Sequence, residues 1–392
     1  MITIIKNIEV YAPEYLGKKD IVLAGDSIED IKDNIEIPKE FLDIKVIDGS
    51  GKILFPGFID AHVHLIGGGG EGGFKTRTPE IQLSELIEGG ITTVIGCLGT
   101  DGVCRDMRAL LAKAKGLEEE GITTFIYTGS YEIPVKTITG NIKEDIMLID
   151  KIIGVGEVAL SDHRSSQPTY EEFIRLSSHA RVAGILSGKA GIVHIHLGDG
   201  ERGMSYLEKV IKDTEIPIKQ FVPTHVNRSI RLFNEAVKFA EKGGYVDITT
   251  SSDPNFLEKD EVKASKGLKM FLERGIPVEQ ITLSSDAQGS LPIFNERREL
   301  VGLGVGSVKT LYREVRDAIT EDGIKIEDAI KTITSNVADA LKLNKKGRVA
   351  KAMDADLVMV NSSDLNISNV IYKGREVFSE GKLLLKGTFE KQ

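Results

Sequence analysis

The chain has 392 residues, 41% of them hydrophobic and 28% charged, and a formal net charge of −9. A barrel of roughly 250–300 residues with one smaller domain fits this length, and the composition excludes a disordered chain. The acidic balance, with no basic stripe, excludes a nucleic-acid partner, and two cysteines, Cys97 and Cys104, exclude a disulfide scaffold. Neither cysteine lies in a Cys-x-x-Cys arrangement, so both read as structural thiols in a reducing, cytoplasmic compartment. The first residues, MITIIKNIEV, read as a strand rather than a signal peptide, and no apolar run approaches the ~18 residues of a membrane span.

Residues 1–52 alternate short apolar runs (ITII, IEVYA, DIVLAG, IKVIDG) with turn residues, a β pattern. The same texture returns in ADLVMVNSSDLNISNVIYKGREVFSEGKLLLKG. Both chain ends are therefore expected to form one small, β-sandwich-like domain (1–55 with 346–392) around an inserted middle (56–345). The middle carries eight β-rich runs: ILFPGFIDAHVHL, ITTVIGCLGT, TTFIYTGSYE, KIIGVGEVALSD, AGIVHIHLGD, IKQFVPTHV, YVDITTS and QITLSSDA. Charged segments of helical spacing separate most of them, and EIQLSELIEGG and CRDMRALLAKAKGLEEEG end in glycine, as helix C-caps do. Eight β/α repeats in series predict an α/β fold closed as a (β/α)8 TIM barrel. A doubly wound open sheet fits less well, because no Gly-x-Gly-x-x-Gly loop follows the first run. Residues 305–342 read as two further helices.

Barrel enzymes react at the C-terminal ends of their strands, and the metal-binding residue types collect there. His62 and His64 close the first run two residues apart, so both imidazoles share one side of a strand and can reach one ion. His196 ends the fifth run, His225 the sixth and Asp286 the eighth; four of the seven histidines thus lie at the rim. His194 shares the facing of His196 and competes for the ligand role, but His196 is nearer the strand end. His179 lies in a helical stretch and reads as surface; His163, in the SDHR run, reads as supporting or structural.

PGFIDAHVHLIGGGGEGG, together with GSYEIP, ALSDHRSS, HLGDG, THVNR and SSDAQGS, resembles the amidohydrolase superfamily over essentially the whole chain. Within it the resemblance is to the isoaspartyl (β-aspartyl) dipeptidases. It implies that His62, His64 and Asp286 hold one divalent ion and His196 and His225 a second, zinc being the family's usual metal. In that family a carboxylated lysine usually bridges the two ions, and this chain departs from the pattern. Its matching position is Glu157, in GVGEVAL, whose shorter carboxylate can bridge two cations if backbone or ions come closer. The resemblance further implies a bridging hydroxide as nucleophile, Asp286 as the proton carrier and Tyr131 as a donor to the oxyanion. Glu71, in the glycine-rich run, would hold the substrate's α-amino group, and Arg164 and Arg228 supply forks suited to carboxylates. Thr100 and Ser290 would make further substrate contacts. The implied reaction is cleavage of the isopeptide bond of a β-aspartyl dipeptide, by a homo-oligomer as large as an octamer.

Three other readings compete. An amidohydrolase of hydantoinase or dihydroorotase type would use the same metals on a cyclic amide, without an amine-binding Glu71. A nucleobase deaminase would carry a glutamate three residues after the fifth-strand histidine, where this chain has Asp199. A non-catalytic assembly protein would have no use for a complete ligand set.

Overall fold

The computed structural model describes residues 2–37, 43–252, 257, 260–294 and 300–391. The chain opens with β1 (Ile2–Tyr11), β2 (Tyr15–Ala24), β3 (Ser27–Lys32), β4 (Ile44–Asp48) and β5 (Lys52–Pro56). The middle supplies β6 (Phe58–Val63), β7 (Ile91–Gly96), β8 (Thr123–Thr128), β9 (Ile152–Leu160), β10 (Ile192–Leu197), β11 (Phe221–Thr224), β12 (Val246–Thr249) and β13 (Ile281–Ser284). A hairpin follows, β14 (Ser290–Phe294) and β15 (Leu300–Val305), and the chain ends with β16 (Leu357–Asn361), β17 (Ile367–Tyr372), β18 (Arg375–Ser379) and β19 (Lys382–Leu383). The helices are α1 (Leu83–Glu88), α2 (Met107–Glu120), α3 (Ile142–Leu148), α4 (Tyr170–Ser187), α5 (Ser205–Asp213), α6 (Ile230–Glu241), α7 (Ala264–Glu273), α8 (Lys309–Thr320), α9 (Ile326–Lys331) and α10 (Ser335–Ala340).

Both chain ends share one sheet. β16 pairs antiparallel with β5, giving the order β19-β18-β17-β16-β5-β1-β2-β3, with β4 parallel to β1. The period-2 alternation of these strands sorts their side chains to two cores. Leu54, Leu357 and Met359 pack with Ile5, Ile8, Ile21 and Leu23 in the small terminal core. Their neighbours Ile53, Phe55, Val358 and Val360 turn the other way and join the barrel core. The sandwich-like packing expected of the termini thus takes the form of one mixed sheet laid against the barrel. The first apolar run, read as one strand, is two: β5 belongs to the terminal sheet and β6 to the barrel.

β6 to β11 form one parallel sheet and β12–β13 a parallel pair. Backbone contacts bridge both seams, Val226 N–H to Asp247 O at 3.4 Å and His64 N–H to Ala287 O at 2.9 Å. The eight strands therefore close as a parallel barrel of TIM type. Each is buried along its length, apart from half-buried Phe125 in β8, as strands covered on both faces must be. α2 shows why the segments between them are helical. Asp106 caps its N-terminus by accepting from Ala109 N–H, an interaction worth about 1 kcal/mol, and left-handed Gly121 ends it.

The 305–342 segment holds three helices rather than two, because the turn at 332–334 separates α9 from α10. That turn docks α10 under the barrel floor: Ile59 N–H donates to Ile333 O, and Val337, Ala338 and Leu341 pack against Ile59, Ala61 and Ile95. Among the described residues no helix is long and apolar enough to cross a membrane.

Candidate metal centre and substrate cavity

A cavity of about 750 Å³ opens at the C-terminal ends of the barrel strands. His64, Glu71, Thr100, Tyr131, Arg164, His196, His225, Arg228, Asp286 and Ser290 all reach its wall. Of the residues picked out by sequence, His62 and Glu157 do not line it; they lie beneath, 0% and 1% exposed. Leu291 and Ile293 of the β14–β15 hairpin supply an apolar side that the sequence reading did not anticipate.

Glu157 is the centre of the arrangement. Its Oε2 lies 3.3 Å from His62 Nε2, 3.2 Å from His196 Nδ1 and 3.8 Å from His225 Nε2, while Oε1 lies 3.5 Å from His64 Nε2. Asp286 Oδ1 is 3.1 Å from His64 Nε2 and 3.4 Å from His62 Nε2. Donors held at ~2.0–2.2 Å around one tetrahedral ion sit about 3.4 Å apart, so this spacing fits cations between them. His62 Nε2, fully buried, has no hydrogen-bond partner among the described residues, an arrangement that an ion relieves. Two buried groups share Glu157: His62, His64 and Cys97 on one side, His196 and His225 on the other. A binuclear centre fits these residues.

How a glutamate reaches so far is answered by the backbone. β9 pairs Val155 with Val193 but Val158 with Ile195, so one extra residue of β9 bulges beside β10. A bulge re-aims a side chain, and this one carries Glu157 into the barrel. Gly156 permits it: a Cβ there would lie 2.8 Å from His194 Cβ and 3.0 Å from His194 O.

The electrostatics follow from burial and neighbours. Burial alone would raise the Glu157 carboxyl, but His62, His196 and His225 outweigh it and hold it well below the usual carboxylate range. Burial, helped by nearby His196, pushes the His225 imidazole down to about 3, leaving a neutral ring with a lone pair to give. Burial and the Glu157 charge push the Tyr131 phenol well up, so its hydroxyl stays protonated.

Each rim histidine is also held from behind, and sequence reading missed these partners. His62 Nδ1 lies 2.9 Å from His194 Nε2, His64 Nδ1 3.8 Å from Cys97 Sγ, His196 Nε2 3.0 Å from Asp162 Oδ2 and His225 Nδ1 2.6 Å from Thr249 Oγ1. Such contacts fix ring orientation and tautomer. Cys97, read as a structural thiol, therefore sits within the metal cluster, and His194 stands behind His62 rather than beside His196. Asp162 was within reach of sequence, since it belongs to the SDHR run. His163 is exposed and His179 half-buried on α4.

The charged groups at the mouth are paired with one another. Arg164 donates to both oxygens of Asp162, at 3.0 and 2.8 Å, and lies 3.3 Å from Glu71. Thr100 Oγ1 donates to Glu71 Oε1 at 3.0 Å. Arg228 Nε lies 4.0 Å from Asp199 Oδ1. Tyr131 hydroxyl lies 2.8 Å from His196 Nδ1. Gly99 leaves no room beneath this layer, for a Cβ there would lie 2.9 Å from His64 Cε1 and 3.4 Å from Glu157 Oε1. Gly99→Ala should displace the His64 ring and lower kcat/KM about 10- to 100-fold with loss of bound metal; unchanged kinetics and metal content would show that the ring yields freely.

The amidohydrolase family model matches residues 53–377. The crystal structure of a beta-aspartyl dipeptidase from Fervidobacterium islandicum, in complex with beta-Asp-Leu, superposes with a TM-score of 0.91 at 47% identity. The match covers 98% of this chain and 97% of that one. More distant relatives include an imidazolonepropionase of Idiomarina loihiensis, 23% identical over 82% of this chain and 80% of its own length. A dihydroorotase of Pyrococcus horikoshii is 25% identical over 88% and 78%. The chain belongs to the amidohydrolase family, as a homologue of its beta-aspartyl dipeptidases with a buried His/Glu metal-binding cluster.

Proposed function

We propose that the chain hydrolyses the isopeptide bond of β-aspartyl dipeptides, with two divalent ions, zinc by family habit, joined by Glu157. The observation that carries the reading is the Glu71–Arg164 pair at the mouth of the metal centre. A β-aspartyl dipeptide brings one ammonium and two carboxylates, so it can exchange that internal pair for its own: the ammonium takes Glu71 and a carboxylate takes Arg164. Arg228, loosely paired, is available for the second carboxylate, and Thr100 and Ser290 lie on the same wall for neutral contacts. A cyclic amide offers Glu71 no ammonium.

His62, His64 and Asp286 would hold one ion and His196 and His225 the other. When bound, the ions supply a water activated near neutral pH and positive charge against the scissile carbonyl. Asp286, a carboxylate facing both His62 and His64, takes the water's proton and delivers it to the leaving amine. Tyr131, kept protonated, turns its O–H from His196 toward the oxygen that gains charge. Asp162 clamps Arg164 and His196 together, so substrate binding and the second ion site share one anchor. The two free thiols suit a reducing compartment such as the cytoplasm, and homo-oligomeric assembly remains part of this reading.

The test is a substrate panel on zinc-loaded protein: β-Asp-Leu, α-Asp-Leu, dihydroorotate and a hydantoin. β-Asp-Leu should exceed each of the others in kcat/KM by ~10²-fold or more. Preference for a cyclic amide would sink the assignment.

A further inference from the structure

The structure assigns His194 a role of its own: it is the positioning residue that sets the tautomer of His62 and thereby secures one of the two ions. This rests on the binuclear reading above. His62 turns Nε2 toward Glu157 and Asp286, so its lone pair is needed there and its proton belongs on Nδ1. The acceptor for that proton is His194 Nε2, 2.9 Å away, with both rings fully buried. Their rings meet edge-on, 4.8 Å between centroids at 76°, which suits a ring N–H aimed at a ring nitrogen.

His194 in turn is held by packing. Tyr127 stacks on it, 5.0 Å between centroids at 17°, and is itself fully buried. A Cβ at Gly156 would lie 2.8 Å from its Cβ and 3.0 Å from its backbone oxygen, so the bulge passes beside it without room for a side chain. The ring lies with Nε2 toward His62. Its other nitrogen, Nδ1, has no partner among the described residues, so the hydrogen bond to His62 is the one this side chain makes there.

The chemistry of the partners separates the two ion positions. His196 is backed by the Asp162 carboxylate, which also clamps Arg164, whereas His62 is backed by an imidazole. Loss of the His194 acceptor should therefore strike the His62 position and leave the His196–His225 position filled.

The experiment compares wild type, His194→Phe and His194→Gln. Phenylalanine keeps the ring stacked on Tyr127 and removes the acceptor; glutamine keeps an acceptor oxygen and removes the ring. His194→Leu serves as a second acceptor-free variant should phenylalanine not fold, and melting of the metal-free proteins reports folding separately. Zinc is titrated into metal-free protein against a chromophoric chelator. Wild type should bind two ions, His194→Phe should bind one of them about 10- to 100-fold more weakly, and His194→Gln should recover most of that loss. Wild-type affinity at both positions in His194→Phe, equal weakening of both, or a glutamine variant as weak as phenylalanine would overturn the assignment. Failure of wild type to bind two ions would instead overturn the binuclear reading.

Discussion

Glu157→Gln should empty both ion positions together and lower kcat/KM by at least about 10³-fold. The two oxygens of Glu157 face different histidines, Oε1 toward His64 and Oε2 toward His62, His196 and His225. Glutamine fits the same space but offers one oxygen and an amide N–H₂ that repels a cation. Metal analysis after gel filtration, beside steady-state kinetics on β-Asp-Leu, reads both effects; retention of two ions would rule out the bridge. The same residue makes a second outcome checkable. No lysine is among the cavity-lining residues described, and a glutamate needs no carbon dioxide to acquire its charge. Metal-free enzyme should accordingly regain full activity with zinc in bicarbonate-free buffer, and bicarbonate-dependent recovery would count against a carboxylate supplied by Glu157.

Asp286→Asn should behave differently. Burial would raise the Asp286 carboxyl, but His62, His64 and His225 hold it below the ordinary carboxylate range, so it waits as a base. Asparagine preserves size and one oxygen but cannot carry a proton from water to the leaving amine. At saturating zinc, kcat should fall about 10²- to 10⁴-fold with little change in KM, because Glu71 and the arginines proposed to hold the substrate are untouched. A fall confined to KM, or a kcat within a few-fold of wild type, would remove Asp286 from the proton-transfer role.

The parts of this site that sequence disclosed are those governed by local geometry. His62 and His64 face one way because strand side chains alternate, and the glycine-bounded helical segments between apolar runs are readable for the same kind of reason. What stayed hidden depends on contacts between distant segments. Cys97 and Thr249 are ordinary residues until the barrel brings them behind His64 and His225. The β9 bulge is invisible because it is defined by register against β10, not by anything within GVGEVAL. The hairpin escaped notice because Pro292, Gly302 and Gly304 break up its alternation, so that 287 onward resembles loop. The split of the first apolar run is hidden too: Lys52–Pro56 and Phe58–Val63 are equally apolar, and only their partners distinguish them.

The shared terminal sheet has a consequence for the order in which the protein is built. β5 leaves the ribosome just before β6, yet the strand that covers its edge, β16, is made only after all eight barrel strands. Lys52 Nζ meets Asn369 Oδ1 across 317 residues of chain. Until β16 is made, Ile53 and Phe55 have barrel neighbours on one face while a backbone edge stays open beside them, the kind of edge that pairs with the wrong strand. The nascent chain thus carries its first metal-binding strand next to an unfinished seam while the rest of the barrel is being made. Truncations that remove β16 and the strands after it, far in sequence from every histidine of the site, should be expected to yield aggregates rather than a working barrel.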